Sequence, residues 1–200
     1  MTRYQGRLRF AAVVLAAGSS TRMRGSHKLL ERLDGQPMVT AAVNAALDSG
    51  ADPVVVVTGH GSTAVEQALP DGVRFVHNRA HVDGLSSSLR VGVRALPPDV
   101  DAAMASLGDM PFVAPHHFEA LVCAWRPGAI VVPVHQGRRG HPVLWSSAFF
   151  DEMCALEGDL GAKSIMALHP DQVVEVPTDD DAVCVDVDDA NDLERARRRC

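Results

Sequence analysis

Two hundred residues, 46% hydrophobic and 22% charged, suffice for one α/β domain with a sizeable core and fall short of two. A formal net charge of -6 excludes a general attraction to nucleic acid and leaves metals and small anions, held in local pockets, as the expected partners. Cys123, Cys154, Cys184 and Cys200 show no C-x-x-C spacing, no signal-like stretch precedes the first apolar run, and no apolar stretch nears the roughly 20 residues that span a bilayer; the expectation is a reduced, cytoplasmic protein with no membrane insertion.

Near-continuous apolar runs at residues 10–16, 53–57, 73–76, 102–107 and 129–134 predict strands buried on both faces. Helical periodicity lies between them at 38–49, 62–69, 86–96 and 115–125. Beyond Ala129 the pattern is less regular. A polar loop at 136–141 leads to 142–145, helical stretches near 147–156 and 162–169, a strand at 173–176, a last strand at 184–187 and a final helix at 190–199. The alternation predicts a single-domain α/β fold: a doubly wound, mostly parallel sheet with right-handed crossovers, helices on both faces and ligands at the carboxyl ends of the strands.

The loop after the first strand, Val13 to Lys28, reads VVLAAGSSTRMRGSHK. Its small residues let backbone N–H groups approach phosphate oxygens, and Arg22, Arg24 and Lys28 supply charge for a nucleoside triphosphate and its departing pyrophosphate. It is neither a Walker A loop nor a dinucleotide fingerprint, since Gly25 is followed by Ser26 and Gly18-Ser19-Ser20 lacks the second glycine. A plain loop with solvated basic residues is the alternative. Gly108-Asp109-Met110-Pro111 places a carboxylate at the end of a buried strand, where Mg²⁺ takes one or two carboxylates and draws its other ligands from phosphate and water. A turn-forming Asp is the competing role. Asp186 and Asp188 share a face by alternation and offer a second carboxylate, with Asp188 favoured; Asp188 or Asp189 could equally cap the final helix. Ser86, Ser87 and Ser88 open a helix as nucleoside contacts or as caps. Arg139, Gly140, His141 and Pro142 form a polar loop whose Arg suits a phosphomonoester, with a structural role for His141 left open.

These segments resemble the molybdopterin nucleotidyltransferases, and the cytidylyl branch in particular, within the glycosyltransferase-A-like (nucleotide-diphospho-sugar transferase-like) fold. Leu15, Ala16, Ala17, Gly18, Arg22, Met23 and Lys28 match its L-A-A-G-x-x-x-R-M…K signature, Gly108 to Pro111 its G-D-M-P, residues 84–89 its G-x-S-x-S-L, and Arg139 to Pro142 its R-G-H-P. Residues 186–193 match D-I-D-T-P-E-D-L without the Thr-Pro pair, Arg24 precedes Gly25 where the family often has Gly directly after Met, and Lys163 replaces the Arg of G-D-x-G-A-R. The resemblance implies Arg22, Lys28 and Asp109 in catalysis and residues 15–18, Arg22, Lys28 and 86–88 around the nucleotide. It further implies Arg139, Gly140, His141, Pro142 and Lys163 on the acceptor, and Asp109, Asp188 and Asp186 on Mg²⁺, with Mn²⁺ as its alternative. Residues 1–9 are then expected to be a flexible N-terminus, 10–128 mainly nucleotide-binding, and 129–200 mainly acceptor-binding with the last strand and helix. CTP and Mo-molybdopterin are the implied substrates, and a molybdenum hydroxylase or its maturation chaperone the implied recipient. Rival readings are transfer from GTP or to another phosphorylated acceptor, an NAD(P)H-dependent oxidoreductase of related fold, and a non-catalytic cofactor carrier. The missing dinucleotide fingerprint weighs against the oxidoreductase, and Asp109 with Lys28 against the carrier.

Overall fold

The computed structural model describes residues 8–18, 27–156 and 162–199. Arg22, Met23, Arg24, residues 1–7 of the expected N-terminal segment and residues 158–161 lie outside the described residues. The main sheet is built from β1 (Phe10–Ala16), β4 (Val54–Thr58), β5 (Val73–His77), β6 (Ala102–Leu107), β7 (Ile130–His135), β8 (Arg138–Arg139), β9 (Val143–Ser146) and β10 (Val173–Pro177); β2 (Arg32–Leu33) and β3 (Gln36–Pro37) form a separate small hairpin. The strand order is β10-β7-β9-β6-β1-β4-β5, with β8 on β7, and every neighbouring pair is parallel except those of β9 with β6 and β7 and of β8 with β7.

Central β1 and β4 are buried at every residue, as their unbroken Ala/Val/Leu runs require. Period-2 alternation divides their side chains between two cores. Ala12, Val14, Val54 and Val56 pack with α1 (Met38–Asp48), α2 (Ser62–Gln67) and α4 (Pro115–Ala124) through Val39, Val43, Val65, Phe118 and Leu121. Val13, Leu15 and Val57 pack on the opposite face with α3 (Leu85–Arg94), α5 (Phe150–Ala155) and α6 (Lys163–Leu168) through Leu89, Val93, Met153 and Ile165. The two-faced α/β sheet expected from the alternation is what forms. A third cluster of Leu33, Met38, Val187, Leu193 and Ala196 seats the last helix, α7 (Ala190–Arg199), beside the small hairpin.

The expected strand at 184–187 is absent and is corrected here. Residues 181–184 make a 3-10 turn, and the following backbone bonds to loops instead of a strand: the Val187 N–H donates to Asp109 O at 3.0 Å, and Val183 O accepts the His141 N–H at 2.8 Å. No helix among the described residues is long and apolar enough to cross a membrane.

Gly92 shows how closely α3 lies on the sheet. A Cβ there would sit 2.9 Å from Val57 Cγ2 and collide with Val13 Cγ1, both on buried β-branched side chains with little rotamer freedom. Alanine gains about 1 kcal/mol in helix propensity, but overpacking costs about 1–3 kcal/mol. Gly92→Ala is therefore expected to lower the urea midpoint at unchanged m-value; a raised midpoint would show that α3 can move off the sheet without loss.

Candidate active site

The parallel register of β1 and β6 pairs Leu15 with Leu107, and the Gly108 N–H continues it by donating to Leu15 O at 3.0 Å. Asp109 therefore emerges at the carboxyl edge of the sheet beside the loop at Ala17 and Gly18. The Val187–Asp109 backbone bond brings the C-terminal segment to the same edge. Which aspartate caps α7 is answered by geometry: Asp189 Oδ1 accepts the Asn191 and Asp192 N–H groups at 2.8 and 2.9 Å, while Asp192 Oδ2 accepts the Asp189 N–H at 3.1 Å. This reciprocal capping box occupies Asp189 and turns Asp188 toward Asp109.

Between these carboxylates lies the Lys28 ammonium, 2.7 Å from Asp109 Oδ2 and 2.8 Å from Asp188 Oδ1. Burial works against the Lys28 charge, but Asp109 and Asp188 outweigh it and hold the ammonium above its ordinary pKa. Burial raises the Asp109 carboxyl, Lys28 opposes the rise, and Asp186 and Asp188 add to it. Asp109 Oδ1 is buried with no hydrogen-bond partner among the described residues. An orphaned carboxylate oxygen next to a second carboxylate is a hard-oxygen donor set of the kind a small divalent cation takes, so the residues fit Mg²⁺ or Mn²⁺. Asp186 is exposed and lines a separate cleft with Phe112 and Arg195, reaching this centre only through its charge.

Lys28 and Asp109 line one cavity, which shares Leu15, Leu85 and Leu107 as a common wall with a second. The first, about 390 Å³, is lined by Ala17, Gly18, Lys28, Gly84, Ser88 and Asp109, among others. Among the described residues, nothing lies within 4 Å of a Cβ built on Gly18. Gly84 enters α3 at φ 90, ψ -177, a conformation essentially restricted to glycine. Of the three serines, Ser88 lines this cavity. The Ser87 hydroxyl is engaged within the protein, with Gly84 O at 2.8 Å and Ala80 O at 2.9 Å as acceptors and Asn78 Nδ2 donating to it at 2.8 Å; Asn78 also donates to Ser88 Oγ at 3.0 Å. Ser86 is buried, and no serine side chain caps α3. Ala16 points into the core.

The second cavity, about 560 Å³, has apolar walls including Leu89, Val132, Trp145 and Met166, with Arg139, Gly140, His141 and Lys163 as its polar or backbone elements. Pro142 is buried behind it. Arg139 Nε donates to Glu175 on β10 at 2.8 Å. Gly140 is required sterically, because a Cβ there would drive into the Val183 carbonyl. Sequence reasoning passed over Asn78, His81 and Glu175. His81 lines the first cavity and packs against Gly59, where a Cβ would lie 2.8 Å from the His81 Cβ. None of these three belongs to a motif with its own spacing.

His116, His117 and Asp180 also bring three potential ligand atoms within 4.8 Å of one another. His117 Nδ1, however, accepts the Ala114 N–H at 3.0 Å, so the neutral ring carries its proton on Nε2, facing Asp180 at 3.2 Å. Neither nitrogen keeps a lone pair for a metal, and the arrangement serves as the start of α4.

Burial, with Lys163 adding to it, pushes the His141 imidazole down to about 4 from an ordinary 6.5, against smaller upward pulls from the Ala105 backbone and Asp186. The ring is neutral at pH 7. Because the folded pKa lies below the unfolded one, the stability this neutral ring contributes is complete above pH 6.5 and is lost as pH falls toward 4, by roughly 3 kcal/mol. His117, lowered by burial and His116, acts in the same direction. Urea midpoints between pH 7 and 4 should fall less steeply for His141→Gln than for the unmodified protein; equal slopes would mean the ring titrates normally.

A family model described as the MobA-like NTP transferase domain matches residues 12–174. The bifunctional protein GlmU of Anaeromyxobacter dehalogenans is 38% identical over 122 residues, 58% of this chain and 25% of that protein, so the match spans about a quarter of the curated relative. Among solved structures, Rv0371c of Mycobacterium tuberculosis is 30% identical with a TM-score of 0.84 over 96% of this chain and 98% of that one. A structure of Rv0371c in complex with manganese aligns with a TM-score of 0.79 at 28% identity, covering 96% of this chain and 100% of that one. A Methanothermobacter nucleotidyl transferase is 28% identical with a TM-score of 0.84, covering 97% and 98% of the two chains. With most of its length matched and the fold shared throughout, the chain belongs to the MobA-like NTP transferase family.

Proposed function

We propose that this nucleotidyltransferase transfers CMP from CTP to Mo-molybdopterin, giving the cytosine dinucleotide form of the cofactor and pyrophosphate. The observation that carries the reading is the meeting of Lys28, Asp109 and Asp188, with Lys28 and Asp109 lining a cavity that shares Leu15, Leu85 and Leu107 with a second one. One cavity takes the nucleotide, with its phosphates along Ala17, Gly18 and Lys28 and its nucleoside toward Gly84 and Ser88. The other takes the acceptor, whose ring system lies against the apolar walls and whose phosphate is drawn by Lys163 and Arg139. Ala17, in the L-A-A-G form of the loop, supports cytidine over guanosine.

An oxygen of the acceptor phosphate attacks the α-phosphorus of CTP, one P–O bond forms, the α–β P–O bond breaks, and pyrophosphate leaves. The attacking group is already an anion, so no protein nucleophile is required. Catalysis consists of in-line positioning and neutralisation of charge. Asp109 and Asp188 would hold Mg²⁺, with Asp186 contributing field, and the metal would supply a Lewis acid for the phosphoryl oxygens. Lys28, and Arg22 from outside the described residues, neutralise the triphosphate. His141, neutral and buried beside the acceptor cavity, contributes shape and hydrogen bonding without adding charge. A molybdenum hydroxylase, or the chaperone that matures it, would receive the product.

Pyrophosphate release should occur with CTP and Mo-molybdopterin together and with neither GTP nor CTP alone. Release with GTP would move the assignment to the guanylyl branch, and no release with any nucleotide from folded protein would favour a carrier. Asp109→Ala should lower turnover by about two orders of magnitude or more while leaving the melting transition in place; turnover at the unmodified rate would remove Asp109 from the metal site.

A further inference from the structure

Lys28 is positioned to do more than meet a triphosphate. Its Nζ lies 2.7 Å from Asp109 Oδ2 and 2.8 Å from Asp188 Oδ1. These two oxygens come from parts of the chain 79 residues apart and converge on one point. A magnesium ion sits about 2.0–2.1 Å from each oxygen ligand, so a contraction of well under 1 Å on each side would fit a divalent ion to the point that the ammonium now holds. Ammonium and metal cannot share it, because both are cations and the space between the carboxylates admits one. The Lys28 side chain is only 12% exposed, and Asp109 Oδ1 is buried without a partner among the described residues. With Lys28 in place, Asp109 Oδ2 and Asp188 Oδ1 are engaged by the ammonium, and an incoming ion must compete with it.

We propose that Lys28 is a place-holding cation for the metal, and that nucleotide and divalent metal consequently enter the site as coupled events. The inference rests on the reading that Asp109 and Asp188 take a divalent cation. In the substrate-free protein one ammonium offsets two carboxylates and keeps them together. A triphosphate entering along Gly18, in the same cavity as Lys28, draws the ammonium away on its flexible four-carbon stem and vacates both carboxylates. The metal then replaces one positive charge with two, and the pair of aspartates becomes fully neutralised. Metal without nucleotide must instead displace Lys28 against its ion pairs, so it binds weakly. The device protects two converging aspartates from mutual repulsion when substrate is absent and ties metal loading to the arrival of the triphosphate.

The test measures Mn²⁺ alone, by the loss of its free-ion electron paramagnetic resonance signal, with neither nucleotide nor acceptor present. Lys28→Met should bind Mn²⁺ roughly tenfold or more tighter than the unmodified protein, because a competing cation has been removed. Lys28→Arg, which keeps the charge, should show no gain, and adding Asp188→Asn to Lys28→Met should abolish the gain. Equal or weaker Mn²⁺ binding by folded Lys28→Met would overturn the proposal. Should Lys28→Met not fold, lysine-selective ¹⁵N resonances of the unmodified protein report directly: saturating Mg²⁺ should move the Lys28 ammonium signal toward that of exposed Lys163, the one other lysine of the chain, and an unmoved signal would overturn the proposal. An active unmodified protein whose Lys28→Met variant gains no Mn²⁺ affinity would sink this inference alone. A Lys28→Met gain in a protein that transfers no nucleotide would sink the CMP-transfer reading and leave this one standing.

Discussion

One ammonium group between two carboxylates fixes the relation between the beginning, middle and end of this chain. Lys28 follows the first strand, Asp109 follows the sixth and Asp188 precedes the last helix, with sequence separations of 81 and 160 residues spanned by the two ion pairs. Lys28 and Asp109, whose side chains are mostly buried, cannot leave water without a partner, because burying a charge alone costs several kcal/mol, and the half-exposed Asp188 adds a second carboxylate to the ammonium. The β1–β6 register delivers Asp109, the Val187–Asp109 backbone bond delivers the C-terminal segment, and the Asp189–Asp192 box selects which aspartate faces inward. An error in any of these would leave an uncompensated charge at the sheet edge.

The two cavities on either side of the shared leucine wall differ in character for a physical reason. The first cavity is lined by small residues and backbone at Ala17, Gly18 and Gly84, surfaces that let main-chain N–H groups approach an anion. The second is walled by Leu89, Val132, Trp145 and Met166, surfaces that reward the burial of a ring system, with cationic side chains supplied by Arg139 and Lys163. Asn78 stiffens the entrance to α3 by binding both Ser87 and Ser88. Polar capacity near the ligand is thereby divided between a structural hydroxyl and one that lines the cavity.

Much of the architecture could be read from residue order because unbroken Ala/Val runs leave no exposed face, as in β1 and β4. Asp109 was legible as a candidate because Gly108-Asp109-Met110-Pro111 follows a buried strand, although a turn-forming Asp fits the same context. The segment at 184–187 looked like a strand because Val185 and Val187 alternate with polar residues, but alternation cannot reveal whether a sheet edge is available, and its backbone partners are loops. The small β2–β3 hairpin carries a local signal that was passed over: Asp34-Gly35, with φ of 48 and 80, is a residue pair favoured in two-residue hairpin turns. Asn78, His81 and Glu175 were illegible because their roles depend on neighbours from other elements, which no local spacing encodes.

The antiparallel placement of β9 gives the acceptor side a different construction from the rest. Every other strand of the main sheet except β8 is entered from the far edge, whereas the chain leaves β7 at the site, turns through Gln136-Gly137 and β8, and re-enters through β9 at the same edge. Residues 136–142 are thus an excursion that begins and ends beside the second cavity and carries none of the parallel ladder around β1. Lengthening a surface excursion costs little in closure entropy, since each doubling of a loop adds only about 0.6 kcal/mol. Descendants of this fold could therefore enlarge or recut the acceptor wall by insertion at one hairpin while inheriting the triphosphate side unchanged, a modular route by which one nucleotide-handling frame can diversify among acceptors.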